Sequence, residues 1–167
     1  MSAFSYKNRG IITALLGVLL LLLPPAPFEC IGTALLAVAI FLRIWARMHI
    51  GEHSRGSELA CPEISKTGPY KYISHPLYLS NFMAGAAFAI FHAGFSLGTL
   101  AFCTVYAMFL IYLAKKESYF IAASLQPATP RQLRCHPSKR GEFLKDQATW
   151  FWQITLLLLI ALRKYYG

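Results

Sequence analysis

Tyr70, His75, Tyr78 and Glu117 are the side chains of this 167-residue sequence best suited to chemistry. A histidine and a carboxylate can move protons near neutral pH. Tyrosine faces stabilise soft cations. Tyr70, Tyr72, His75 and Tyr78 crowd the start of an apolar run, and Glu117 stands just beyond its end. Residues 73–114 contain no Asp, Glu, Lys or Arg. A carboxylate that follows so long an uncharged stretch calls for a cationic partner and is a functional candidate. The competing readings are an aromatic interface belt for the tyrosines, and pairing of Glu117 with Lys115, Lys116 or a headgroup amine.

The elements that position these residues are set by composition. Hydrophobic residues make up 56% of the chain and charged residues 14%, with a mean hydropathy of +0.47. Such a balance excludes a disordered tail, a coiled coil and most water-soluble enzymes. It points to an all-α integral membrane bundle of about five spans. Residues 11–28 form a first apolar run that ends in Pro24-Pro25-Ala26-Pro27. Residues 30–42 form a second, which gains Arg43, Trp45 and Arg47 at its end. As one helix, residues 73–114 would reach about 63 Å, twice a bilayer core, so they must fold back. The expected break is His92-Ala93-Gly94-Phe95-Ser96-Leu97-Gly98. Pro76 suits the first turn of the third span, with Ser74 or His75 before it. A last run over residues 148–162 has Trp150 and Trp152 at one end and Tyr165 and Tyr166 at the other, as suits two membrane interfaces. Ala84, Gly85, Ala86, Ala87 and Ala89 allow close helix packing.

The net charge is +9. With the N-terminus on the cytoplasmic side, all of the 16 basic residues except Arg163 and Lys164 fall on that side. The two short outer loops have none. The basic excess is therefore assigned to cytoplasmic loops of a multi-pass protein, and no nucleic-acid partner is expected. Cleavage of a signal peptide is not expected, because no small-x-small site follows the first apolar run. The whole chain, residues 1–167, reads as one domain.

Cys30, Cys61, Cys103 and Cys135 form no CxxC pair and suggest neither a zinc ribbon nor disulfides. His49-Ile50-Gly51-Glu52-His53 matches H-x-x-E-H, the inverted zinc-protease motif. Gly51 weakens the helix that motif needs, and no third ligand is evident, so no metal site is assigned.

Gly68-Pro69-Tyr70-Lys71-Tyr72-Ile73-Ser74-His75-Pro76-Leu77-Tyr78 resembles the G-P-Y-x-x-x-R-H-P-x-Y signature of the isoprenylcysteine carboxyl methyltransferases. The following hairpin, the His92-Ala93 turn and Glu117 resemble the related phospholipid N-methyltransferases. The similarity spans residues 66–118. It implies an integral membrane methyltransferase that uses S-adenosylmethionine without a Rossmann domain, and no G-x-G-x-x-G follows a strand pattern here. By resemblance, Tyr70, His75, Tyr78 and Glu117 contact the cofactor in a cytoplasmic pocket, and His75 and Glu117 are the catalytic candidates. The acceptor implied is a membrane lipid or a lipidated molecule, first an isoprenylcysteine carboxylate and second a phosphatidylethanolamine-type amine. The Arg of the signature is Ser74 here, and the stretch after Glu117 also departs from the family pattern.

Arg43 and Arg47 share a helix face. They are expected either to snorkel to the cytoplasmic interface or to bind an anionic headgroup or the cofactor carboxylate in place of the missing Arg. The basic run 131–145 reads as membrane anchoring, as a lid, or as a docking surface for anionic lipid. A non-enzymatic membrane scaffold with the same architecture is the alternative class. A channel or transporter is disfavoured, because the spans lack paired intramembrane charges.

Overall fold

A computed structural model describes residues 9–26, 30–50, 67–124 and 147–166. Among these residues there are five α-helices and no strands: α1 (Arg9–Leu20), α2 (Cys30–Ile50), α3 (Pro76–Ala93), α4 (Leu97–Ser124) and α5 (Gln147–Tyr166). A short 3-10 turn, Gly68–Lys71, precedes α3. Two stretches, Cys30–His49 of α2 and Leu97–Tyr119 of α4, are long and apolar enough to cross a membrane. The apolar parts of α1 and α5 are shorter, Ile11–Leu20 and Thr149–Leu162.

The first apolar run covers residues 11–28 with an outer loop expected around 24–29, and helix α1 ends a little ahead of that loop, at Leu20. Leu21, Leu22 and Leu23 turn back with i→i+3 hydrogen bonds to Val18, Leu19 and Leu20. Pro24 and Pro25 follow, and prolines lack the N–H a helix would need. The hairpin break falls inside the expected segment. Gly94 ends α3 with φ 61°, a left-handed conformation that costs glycine little. Ser96 caps α4: its Oγ accepts the Thr99 N–H at 3.1 Å. Thr99 Oγ1 in turn donates to the Gly94 carbonyl at 2.8 Å.

These two turns meet. His92, fully buried, donates from Nε2 to the Leu23 carbonyl at 3.0 Å. The Ala26 N–H donates to the His92 carbonyl at 2.8 Å. His92 is thus a fastening between the Pro-rich turn and the hairpin tip, at one end of the bundle.

Helix α3 is the centre of the packing. It buries Ser80, Ala84, Ala86, Ala87, Phe88, Ala89 and His92. Helices α2 and α3 are antiparallel and nearly touch. A Cβ on Gly32 would stand 3.0 Å from the Ala87 carbonyl oxygen and from the Phe91 nitrogen. On the other side of α3, Gly85 seats the ring of Tyr106, which a Cβ there would meet at 2.3 Å. The small residues at positions 84–89 therefore let two helices approach at once, as close packing in an apolar solvent requires. Leu20, Ala39, Ala84, Phe88, Ala89 and Ile160 form one core cluster drawn from α1, α2, α3 and α5. Tyr106, Leu110 and Leu113 of α4 form a second, with Tyr78 and Phe82 packed against it.

Candidate functional site

The end of the bundle opposite the His92 fastening carries the polar side chains. It is assembled from the last turns of α2, the 3-10 turn, the start of α3, the later part of α4 and the start of α5.

Local sequence fixes the 3-10 turn. Thr67 is extended, with φ −110° and ψ 157°. Gly68 takes φ 57°, and Pro69 supplies a preset φ at the helix start. The N–H groups of Tyr72 and Ile73 both reach the Pro69 carbonyl, at 3.1 and 2.9 Å. Gly68 is required twice over, because a Cβ there would lie 2.5 Å from the His49 ring. His49 is itself held by donation from Nδ1 to the Trp45 carbonyl at 2.8 Å. His49 therefore packs the turn against the end of α2. Glu52 and His53 of the H-x-x-E-H match lie outside the described residues.

The turn separates the tyrosines. Tyr72 points outward, 75% exposed, with the Lys71 ammonium 5.6 Å from its ring centroid. It suits an interface position. Tyr70 is half-buried, and its Oη is buried with no hydrogen-bond partner among the described residues. Burial pushes the Tyr70 phenol well above its ordinary pKa. Arg47 opposes that shift, Glu117 adds to it, and Arg43 opposes it more weakly. The tyrosine hydroxyl thus sits in the combined field of two cations and one carboxylate from two other helices.

Pro76 opens α3, and His75 takes the preceding position with φ −135° and ψ 66°. The His75 side chain does not cap the helix. Its Nε2 instead lies 2.8 Å from Ser118 Oγ on α4. The Tyr78 ring follows one turn on, 5.7 Å from the His75 ring at an interplanar angle of 56°. Glu117, half-buried, precedes Ser118. Folding of the hairpin therefore brings His75, Tyr78 and Glu117 to one level.

Arg43 and Arg47 do not snorkel. They are 5% and 7% exposed and face the helices of the bundle. Nη1 of Arg43 donates to Asn81 Oδ1 on α3, and Nη2 donates to Thr149 Oγ1 on α5 at 3.0 Å. The reason is the close α2–α3 approach: the face carrying both arginines is the face that packs. Asn81, Ser118 and Thr149 were not singled out from sequence. Asn81 carried a signal, as an amide within the uncharged stretch 73–114.

The described helices form an apolar bundle with cations, a carboxylate and aromatic faces gathered at one end. The chain belongs to the phospholipid methyltransferase family, whose sequence model matches residues 28–126. Its family is thus one of membrane methyltransferases. The match runs from the start of α2 beyond the end of α4 and includes Arg43, Arg47, Tyr70, His75, Tyr78 and Glu117. No curated protein and no solved structure matches the chain.

Proposed function

We propose that the protein transfers a methyl group from S-adenosylmethionine to a lipid-like acceptor at the cytoplasmic face of a membrane. The observation that carries this reading is the buried Tyr70 hydroxyl, which has no hydrogen-bond partner among the described residues and lies in the field of Arg47, Glu117 and Arg43. The amino-acid portion of the donor has a carboxylate and an ammonium, so a ligand of that kind needs a cation and an anion side by side. Arg47 is the residue for the carboxylate and Glu117 for the ammonium, each as a charge-assisted hydrogen bond. Tyr70 has a hydroxyl to offer, and the faces of Tyr70 and Tyr78 suit a sulfonium. When bound, the cofactor supplies an activated methyl group.

The rest of the chemistry is orientation. Aligning two reactants removes much of the barrier, and no covalent help from the protein is needed. A phospholipid amine is the favoured acceptor, supported by the family match and by Ser74 in place of the signature Arg. Such a nitrogen must lose a proton for each methyl gained. His75, held by Ser118, is the base, with Glu117 the other group within the site. The second reading is an isoprenylcysteine carboxylate, supported by the spacing of Gly68-Pro69-Tyr70 and His75-Pro76-Leu77-Tyr78. A carboxylate needs no base.

The proposed topology has five spans. The turn at residues 21–26 and the hairpin tip at 92–98 share the outer side, supported by their hydrogen bonds to each other. The charged end then faces the cytoplasm, where the donor arrives from water and the acceptor from the bilayer. Calorimetry of the full chain in detergent with S-adenosylmethionine, followed by methyl transfer to phosphatidylethanolamine and to a farnesylated cysteine, tests the reading. Saturable binding with transfer to the phospholipid is expected. Absence of binding would leave a non-enzymatic scaffold.

A further inference from the structure

Helix α4 has a buried side and an exposed side, and the exposed side changes in chemical character along its length. Tyr106, Leu110 and Leu113 are buried. Met108, Ile111 and Tyr112 are exposed, and so are Lys115, Ser118 and Tyr119. Steps of three and four residues put these six on one side of the helix, away from the buried three.

From the middle of α4 toward the charged end, this lane is apolar at Met108 and Ile111, aromatic at Tyr112 and cationic at Lys115. It then reaches Ser118, whose Oγ lies 2.8 Å from Nε2 of His75. Lys115 and Ser118 are one turn apart, a rise of about 4.5 Å along the helix. The groups of a phosphatidylethanolamine-type lipid follow in the same order. Its apolar chains come first, then the phosphodiester, and then the amine, two carbons further on.

The charges agree with that order. Glu117 is the one acidic side chain of the described residues. It stands two positions beyond Lys115, which turns it to the other side of the helix. Lys116 borders the lane, with its ammonium 6.0 Å from the centroid of the Tyr112 ring. An isoprenylcysteine carboxylate carries its anion at the reacting group and has no second anion for a cation one turn deeper. A lysine at this level therefore separates the two classes of acceptor.

We infer that Lys115 is a specificity-determining residue, which binds the phosphodiester of a phospholipid acceptor lying along the exposed side of α4 and so brings the amine to His75. The inference rests on the phospholipid-methylating reading of the site. The test uses the full chain in an uncharged detergent, with Lys115→Gln, Lys115→Arg and, as a control, Lys71→Gln. Lys71 is exposed at the same end of the bundle but outside the lane, with its ammonium over the Tyr72 ring. Lys115→Gln should raise KM for phosphatidylethanolamine about fivefold, the worth of one lysine beside an anionic headgroup. Turnover at saturation and affinity for S-adenosylmethionine should not change, and Lys115→Arg should restore KM. A long-chain amine without a phosphate should compete equally well in the parent and in Lys115→Gln. An equal rise in KM from Lys71→Gln, or weaker competition by the phosphate-free amine in Lys115→Gln, would overturn the assignment. If the parent does not methylate the phospholipid, the acceptor reading itself falls. Calorimetry with a short-chain phosphatidylethanolamine then decides the contact alone. Weaker binding to Lys115→Gln than to the parent would uphold it, and equal binding, or none to either, would refute it.

Discussion

Nε2 of His75 lies 2.8 Å from Oγ of Ser118, although 43 residues separate the two. The contact joins the residue before α3 to the cytoplasmic portion proposed for α4, and so closes the hairpin at its charged end. It also sets the orientation of the imidazole. Ser118→Ala should therefore lower turnover of an amine acceptor by about two- to tenfold, the worth of one hydrogen bond. Cofactor affinity should stay the same. Steady-state kinetics at saturating donor measure this, and unchanged turnover would remove His75 from the role of base.

Glu117→Gln keeps the shape of the side chain and removes its charge. If the carboxylate pairs with the donor ammonium, the substitution should cost about 1.5–3 kcal/mol of binding free energy. Calorimetry with S-adenosylmethionine reads the loss. An affinity equal to that of the parent would place Glu117 outside the ligand site.

Tyr70→Phe separates stability from binding. The buried hydroxyl has no partner among the described residues, so its removal should leave the unfolding midpoint unchanged or higher. Affinity for the donor should fall. Burial raises the Tyr70 pKa, so the folded protein keeps the proton beyond the pH of about 10 at which an unfolded tyrosine loses it. Stability contributed by Tyr70 is thus full below that pH and falls as pH rises through it. Tyr70→Phe should flatten that part of the alkaline stability profile.

Gly85→Ala would drive a methyl group into the Tyr106 ring, which lies 2.3 Å from the Cβ position. Tyr106 is 5% exposed and has little room to move. Overpacking of this kind should cost about 1–3 kcal/mol. Denaturation in detergent would show it, and a variant as stable as the parent would mean that α3 and α4 pack less closely.

Membrane topology can be tested with single cysteines at Ser57 and Ser138, in a background without the native four. Both positions should resist an impermeant thiol reagent applied outside intact cells, as the distribution of basic residues requires. Strong labelling at either would overturn the proposed cytoplasmic placement of the site.

Much of the fold could be read from the sequence because its signals are local. The uncharged stretch 73–114 exceeds one bilayer crossing, and Gly94 and Ser96 mark where it must turn. Pro76 marks the start of α3 for the same kind of reason, since its missing N–H is harmless only there. The match of Gly68-Pro69-Tyr70 and His75-Pro76-Leu77-Tyr78 to a family signature also needs no third dimension. Pro24 and Pro25 likewise mark where the first run must leave the helix, although hydropathy alone does not show that α1 ends as early as Leu20.

The direction in which a side chain points was beyond the sequence. Arg43 and Arg47 share a face at either an interface or a helix contact, and the pattern of residues is identical in the two cases. Only the close approach of α2 to α3 turned them inward, and only the placement of α5 gave Arg43 the Thr149 hydroxyl. Tyr70 and Tyr72 stand two residues apart with the same chemistry, yet the docking of Gly68 against His49 buries one and exposes the other. Ser118 had no signal of its own until the hairpin set it beside His75. Composition and spacing decide which residues a membrane chain can put to use. Contacts between distant segments decide which of them meet, because charge and burial depend on neighbours that sequence order does not name.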